Sequence, residues 1–181
     1  ETFESQVSGN SVEAFNAGGG GVESWGVSTL TQSTISGNSA QSSGDFSTVC
    51  GVGINFVGGT LTLAASTVSG NTGAILFGGG IAVQDGILNV SSSTLSNNTL
   101  ITAAGFAGAF GGGIDQASPT IGTVSYSTLS GNSVTATIQA GQSLYFFSSD
   151  DALNVVGSVI GNSPLGDHCG GAGGVAAFQN T

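Results

Sequence analysis

A short phrase recurs along the whole chain: Val7-Ser8-Gly9-Asn10, Ile35-Ser36-Gly37-Asn38, Val68-Ser69-Gly70-Asn71, Leu95-Ser96-Asn97-Asn98, Leu129-Ser130-Gly131-Asn132 and the shortened Ile160-Gly161-Asn162. Successive asparagines are 28, 33, 27, 34 and 30 residues apart. That period is too long for one strand or helix and suits one supersecondary unit stacked on its copies. A single repeat domain over residues 1–181 is expected.

Each unit carries a second anchor, a glycine step ending in an aliphatic residue. It reads Gly19-Gly20-Gly21-Val22, Gly51-Val52-Gly53-Ile54, Gly78-Gly79-Gly80-Ile81, Gly111-Gly112-Gly113-Ile114, the degenerate Gly141-Gln142-Ser143-Leu144, and Ala172-Gly173-Gly174-Val175. From this aliphatic residue to the next asparagine the distance stays at 16 to 18 residues, whereas from asparagine to the following anchor it ranges from 10 to 16. Stacking therefore holds one side of the unit to length, and the other side is free to loop out. Inside the constant stretch the apolar period is two, the mark of strands. The inward columns are Leu30, Leu63, Val90, Val124, Val155 and Ile35, Val68, Leu95, Leu129, Ile160. No segment has a 3.6-residue apolar stripe, and 33 glycines disfavour helix. The expected fold is all-β: a right-handed parallel β-helix, or β-solenoid, of about six coils, with handedness taken from the rule for parallel crossovers.

Stacking gives the recurring polar residues structural roles. Asn10, Asn38, Asn71, Asn98, Asn132 and Asn162 fall at one corner, where each side-chain amide can bond to its copies above and below and where asparagine tolerates a left-handed backbone. Ser33, Ser66, Ser93, Ser127 and Ser158 form a second inward polar column. The glycines serve the opposite corner, where a Cβ would block the bend or the next coil. The pairing of a Gly-Gly-x-Ile step with an aliphatic-x-x-Asn step resembles the repeats of bacterial polymorphic outer-membrane proteins and the parallel β-helix passengers of surface adhesins. The resemblance runs from Val7 to Val175 and implies a cell-surface or extracellular protein used for adhesion, mostly without enzymatic activity. This chain departs from that pattern in carrying Val, Ile or Leu where those repeats often have Phe, and in losing the glycine triplet at Gly141-Gln142-Ser143.

Lysine and arginine are absent, against ten Asp and Glu, for a net charge of −10. With no basic side chain to displace counterions from phosphate, nucleic acid is excluded as a partner class, and anionic lipid surfaces are repelled. No trypsin-type cleavage site exists, which suits life outside the cell. The chain begins at Glu1 with no secretory segment, as expected of a processed exported protein. The longest apolar run, Ala103 to Ile114, is too short and glycine-rich to insert in a membrane; it reads as an enlarged loop of the fourth coil, folded over the solenoid or touching another molecule. Cys50 and Cys169 belong to coils roughly 19 Å apart along the axis, at about 4.8 Å per coil, so buried free thiols are expected and an interchain bridge is the alternative.

Parallel β-helices include polysaccharide lyases and hydrolases. Lyases of that kind use a basic proton acceptor, for which this chain offers only His168, and glycoside hydrolysis needs carboxylates converging within about 5 to 10 Å. Glu23 and Asp115 share a column three coils apart, Asp45 and Asp85 lie on different corners, and Asp150-Asp151 reads as a solvated turn with calcium as an alternative. Asp167-His168-Cys169 cannot all face one ion in an extended chain. The expectation is a non-catalytic protein with no cofactor and no metal.

Two surface hypotheses remain. If the aliphatic column points inward, then Thr34, Thr67, Thr94 and Thr128 point outward beside Ser36, Ser69, Ser96 and Ser130, as an uncharged Thr-x-Ser lattice bounded by Gln6 and Val159. Such a face suits a glycan, a host or matrix component, or ice. The repeats also start within the first ten residues and run to the last ten, so open strand edges at both ends favour head-to-tail self-association into a filament or an adhesive stalk.

Overall fold

A computed structural model describes residues 5–14, 18–42, 50–74, 77–102, 108–117, 121–146, 148–161, 167–171 and 175–179. They are all-β, and every strand pairing among them is parallel. The chain winds as a β-solenoid with three main sheets and a two-stranded one, Gly108–Phe110 with Ile138–Ala140. The first stacks the three-residue strands Gln6–Ser8, Thr34–Ser36, Thr67–Ser69, Thr94–Ser96, Thr128–Ser130 and Val159–Gly161. A second stacks Ser11–Ala14, Ser39–Ser42, Thr72–Ala74, Thr99–Ile101 and Ser133–Thr135. The third is long: Val22–Thr31, Ile54–Ala64 and Ile81–Ser91 run unbroken, and later coils split into pairs such as Ile114–Ala117 with Ile121–Ser125.

Sequence counting gives about six coils, whereas the winding amounts to about four turns. Six units contribute to the first sheet, but among the described residues only five reach the second. A second correction concerns the run from Ala103 to Ile114. Residues 103–107 lie outside the described set, but Gly108–Phe110 is a strand paired with Ile138–Ala140, and Ile114 opens the next strand. The loop is thus shorter than its hydropathy implied.

Registers follow the alternating pattern. Leu30, Leu63, Val90, Val124 and Val155 align in one column, and Val7, Ile35, Val68, Leu95, Leu129 and Ile160 in another. Together with the Ile54–Ile81–Ile114–Leu144 column they fill a continuous core between the first and third sheets, and Ala40, Val52, Leu100, Ala109 and Val134 form a smaller one behind the second. Each buried Leu or Ile contributes roughly 1.5–3 kcal/mol. Because the chain is periodic, the gain repeats with every coil.

Corners are built by three columns. At the glycine corner the first residue of each step, Gly19, Gly51, Gly78, Gly111 and Gly141, has φ between 56° and 70°, and a Cβ there would strike the backbone or side chain just ahead in the same corner. The degenerate fifth step keeps this one essential glycine. Its Gln142 is buried, and the Oε1 accepts from the Val134 N–H, so the lost glycines are replaced by a side-chain bond rather than by a gap. Backbone bonds from coil to coil run through the corner without a break, as from Val52 N to Gly78 O and from Gly53 N to Gly79 O.

Left-handed residues at the asparagine corner are Gly9, Gly37, Gly70, Asn97 and Gly131, each immediately before the ladder asparagine. This corrects the expectation that the ladder asparagines themselves take that conformation. The residue before bends the chain, which frees the asparagine to point inward, and Asn97 substitutes for glycine because asparagine tolerates the region. A third bend is made without glycine at Gln32, Ala65, Ser92 and Tyr126, with φ near 49° in each, and with Gly157, φ 53°, in the coil after them.

Candidate functional site

The Thr-x-Ser lattice lies on the first sheet. Thr34, Thr67, Thr94 and Thr128 are in register, as are Ser36, Ser69, Ser96 and Ser130. In each strand the central aliphatic residue is buried and its Thr and Ser neighbours are half-buried, so both columns face out. Neighbouring strands are ~4.8 Å apart and the two columns ~6.7 Å apart along each strand. Gln6 and Ser8 extend the lattice at one end, Val159 and Gly161 at the other. The face carries hydroxyls and methyls but no charge.

Beneath it, two polar ladders fix the spacing. The Nδ2 of Asn10, Asn38, Asn71 and Asn98 donates to the Oδ1 of the next asparagine at 2.9–3.0 Å, ending at Asn132, and each backbone N–H donates to the same oxygen. The second amide hydrogen goes back one coil, from Asn38 to Val7 O, Asn71 to Ile35 O, Asn98 to Val68 O and Asn132 to Leu95 O. Each interior asparagine therefore uses both donors and both acceptor positions. Asn162 lies outside the described residues. The serine column behaves alike: Ser33, Ser66, Ser93 and Ser127 each donate their N–H to the hydroxyl one coil on, ending at Ser158, while each hydroxyl donates to the carbonyl two residues back. Both ladders point the same way along the axis. The solenoid has a direction, and its two ends differ.

Glu23 and Asp115 are in one column with Asn55 and Ala82 between them, and Asp45 lies outside the described residues. Among the described residues no three His, Cys, Asp or Glu side chains gather where they could hold a metal ion. Asp150 and Asp151 do form a turn, but they are not both solvated. Asp150 is exposed, whereas Asp151 is buried and accepts the Ser148 N–H at 2.7 Å. The two cysteines are unbridged. Cys50 is buried as expected, but Cys169 is exposed because its strand, Cys169–Gly171, is the edge of the long sheet.

Sequence reasoning missed Asp115. Alternation places it on the outer side of the long sheet, where solvent is expected, yet it is fully buried and neither carboxylate oxygen has a hydrogen-bond partner. It packs against the Gly111 corner, where a Cβ would come 2.7 Å from its own. Outside this corner runs a further column, Cys50, Phe77 and Phe110, in which Phe110 stacks on Phe77 at 5.9 Å and on Tyr145 at 4.7 Å. Burial pushes the Asp115 carboxyl well above the usual range, and the Asp151 charge adds to the shift. The Cys50 thiol is pushed up to about 12, by burial and then by Asp115, and the Tyr145 hydroxyl is raised for the same two reasons. The only hint in the sequence is the step before it, Phe110-Gly111-Gly112-Gly113, which sets an aromatic beside the corner.

Elsewhere the long sheet shows a column of Val27, Thr60, Ile87 and Ile121, of which Val27 is 83% and Ile121 66% exposed. The second sheet holds an open groove of about 280 Å³ lined by Ser11, Glu13, Ser39, Gln41, Thr72 and Ile101. Neither gathers a set of reactive groups. Compared with known proteins, the chain matches no family model, no curated protein and no solved structure.

Proposed function

We propose that this chain is a non-catalytic structural or adhesive β-solenoid of the cell surface or extracellular space, which associates head to tail. The observation that carries the reading is the one-way direction of the stacked coils. Among the described residues Gln6–Ser8 and Val159–Gly161 are the first and last strands of the first sheet, and the ladders between them run one way. A further coil of the same kind fits either edge with the register Val7 to Ile160, and one end never fits itself. Such an interface is heterologous and does not close, so it builds a filament. The finer likeness, to polymorphic outer-membrane protein repeats and adhesin passengers, rests on the Gly-Gly-x-Ile and aliphatic-x-x-Asn steps and supports the same surface role. Absence of lysine and arginine agrees with it.

The edge can be tested by sedimentation velocity. Wild-type protein is expected to shift to larger species as concentration rises, and Ile160→Lys, which puts a charge on the exposed rim of the core, to stay at one size with an unchanged circular dichroism spectrum. Equal behaviour of the two proteins contradicts the interface. A second reading, glycan binding, is favoured by the regular hydroxyl lattice of Thr34, Thr67, Thr94 and Thr128, and ice binding by the same lattice's lack of charge.

A further inference from the structure

The buried carboxyl of Asp115 has no counter-charge available to it. Neither of its oxygens is partnered, and the chain contains no lysine or arginine that could approach it. His168, the one histidine, lies in the following unit, where its carbonyl accepts the Ser143 and Leu144 N–H groups and its own Nδ1 is buried without a partner. The groups that interact electrostatically with Asp115 are Asp151, from the turn after the next strand, Cys50 on the outer column and Tyr145 one coil on in its own column. One is acidic and the other two are neutral until alkaline pH. Two buried carboxyls without a cation cannot both ionise at low cost, so one holds a proton. Asp151 accepts the Ser148 N–H, whereas Asp115 is fully buried and accepts no hydrogen bond. The proton therefore belongs on Asp115.

We propose that Asp115 is a proton-operated latch on the outer layer of the fourth glycine corner: protonated, it lets the Phe110–Tyr145 stack and the 148–151 turn close over it, and ionised, it opens them to water. Ionisation requires hydration, and the carboxylate is covered by that layer. It also repels Asp151, whose bond to Ser148 holds the turn. The sign follows from linkage. A carboxyl raised in the closed state binds more protons there than in the open state, so closure is complete in acid and is lost as pH rises above the ordinary carboxyl range toward the raised value. In that window each pH unit opens the layer about tenfold further, because one proton leaves per opening.

Cys50 lies two coils from Asp115, so the backbone amides of residues 141–146 and 148–151 are the direct reporters of the opening. Their hydrogen exchange, corrected for its intrinsic pH dependence, is expected to accelerate as pH rises above the ordinary carboxyl range, by up to about tenfold per pH unit. In Asp115→Asn that pH dependence vanishes. Equal slopes in the two proteins overturn the proposal. Should Asp115→Asn not fold, Asp151→Asn gives the second reading: without the neighbouring charge that raises Asp115, the steep region ends at lower pH, and an unmoved profile overturns the proposal. Hydrogen exchange, corrected for its intrinsic pH dependence, separates a latch from general unfolding. Protection must fall with pH over residues 141–151 and hold around Asn71 and Asn98; a loss that includes Asn71 and Asn98 overturns the proposal.

Discussion

Asn71→Ala is expected to destabilise the protein by about 3–5 kcal/mol in urea denaturation, a loss shared only by truncation of the other interior ladder asparagines. Asn71 makes four bonds through its side chain: its Oδ1 accepts from the Asn38 N–H and Nδ2, and its Nδ2 donates to Ile35 O and Asn98 Oδ1. It is fully buried, so no water replaces them, and two donors of Asn38 are orphaned at roughly 1–3 kcal/mol each. Asn71→Asp keeps the acceptor but loses both donors and buries a charge, so it should be no better at neutral pH. The outward Ser69→Ala, two residues away, should fall within about 0.5 kcal/mol of wild type. Similar losses for Asn71→Ala and Ser69→Ala would show that the ladder does not hold the corner.

A substitution that stabilises comes from the core. Gln116 points inward between Val83 and Phe146, in the column that also holds Phe56; it is fully buried, and neither its Oε1 nor its Nε2 has a partner. Each such group forfeits roughly 1–3 kcal/mol, whereas a thioether of similar shape forfeits nothing. Gln116→Met is therefore expected to stabilise by about 2–4 kcal/mol, raising the thermal midpoint by several degrees. A lower midpoint would mean that the amide is satisfied in solution in a way that the packing does not provide for. The column also explains why a polar residue survives there: periodic neighbours above and below supply enough apolar contact for the coil to tolerate one defect.

Much of this architecture is legible in the sequence because a solenoid repeats its own evidence. Leu63, Val90 and Val124 can be aligned by counting, and once aligned their register, their inward direction and the outward Thr-x-Ser lattice follow. The ladder of Asn38, Asn71 and Asn98 is legible for the same reason. What escapes is whatever one coil does alone. Asp115 stands where Asn55 and Ala82 stand in other coils, and period-two reasoning assigns the whole column to solvent. Its burial depends on the outer aromatic column, which belongs to the variable side of the repeat. Asp151 is similar, as a turn residue whose side chain folds in rather than out. The bend at Gln32, Ala65, Ser92 and Tyr126 has no glycine signal because the serine that follows in each coil supplies the bonds that hold a left-handed residue in place, offsetting roughly 1–2 kcal/mol of strain. The coil count fails for a simpler reason: the phrase marks where a strand of the first sheet ends, not where a turn closes.

The functional reading depends on the one-way direction of the stacked coils more than on any one residue. Hydroxyl lattices and apolar columns are what a solenoid exposes whatever it does, but one-way ladders between two unlike edges constrain how copies can meet. Electron microscopy of the purified chain across a concentration series tests this most directly. The account predicts unbranched rods of constant width that lengthen as concentration rises. Isolated rods of about one chain's length, roughly 29 Å for six stacked strands at 4.8 Å each, persisting at the highest concentration would contradict it.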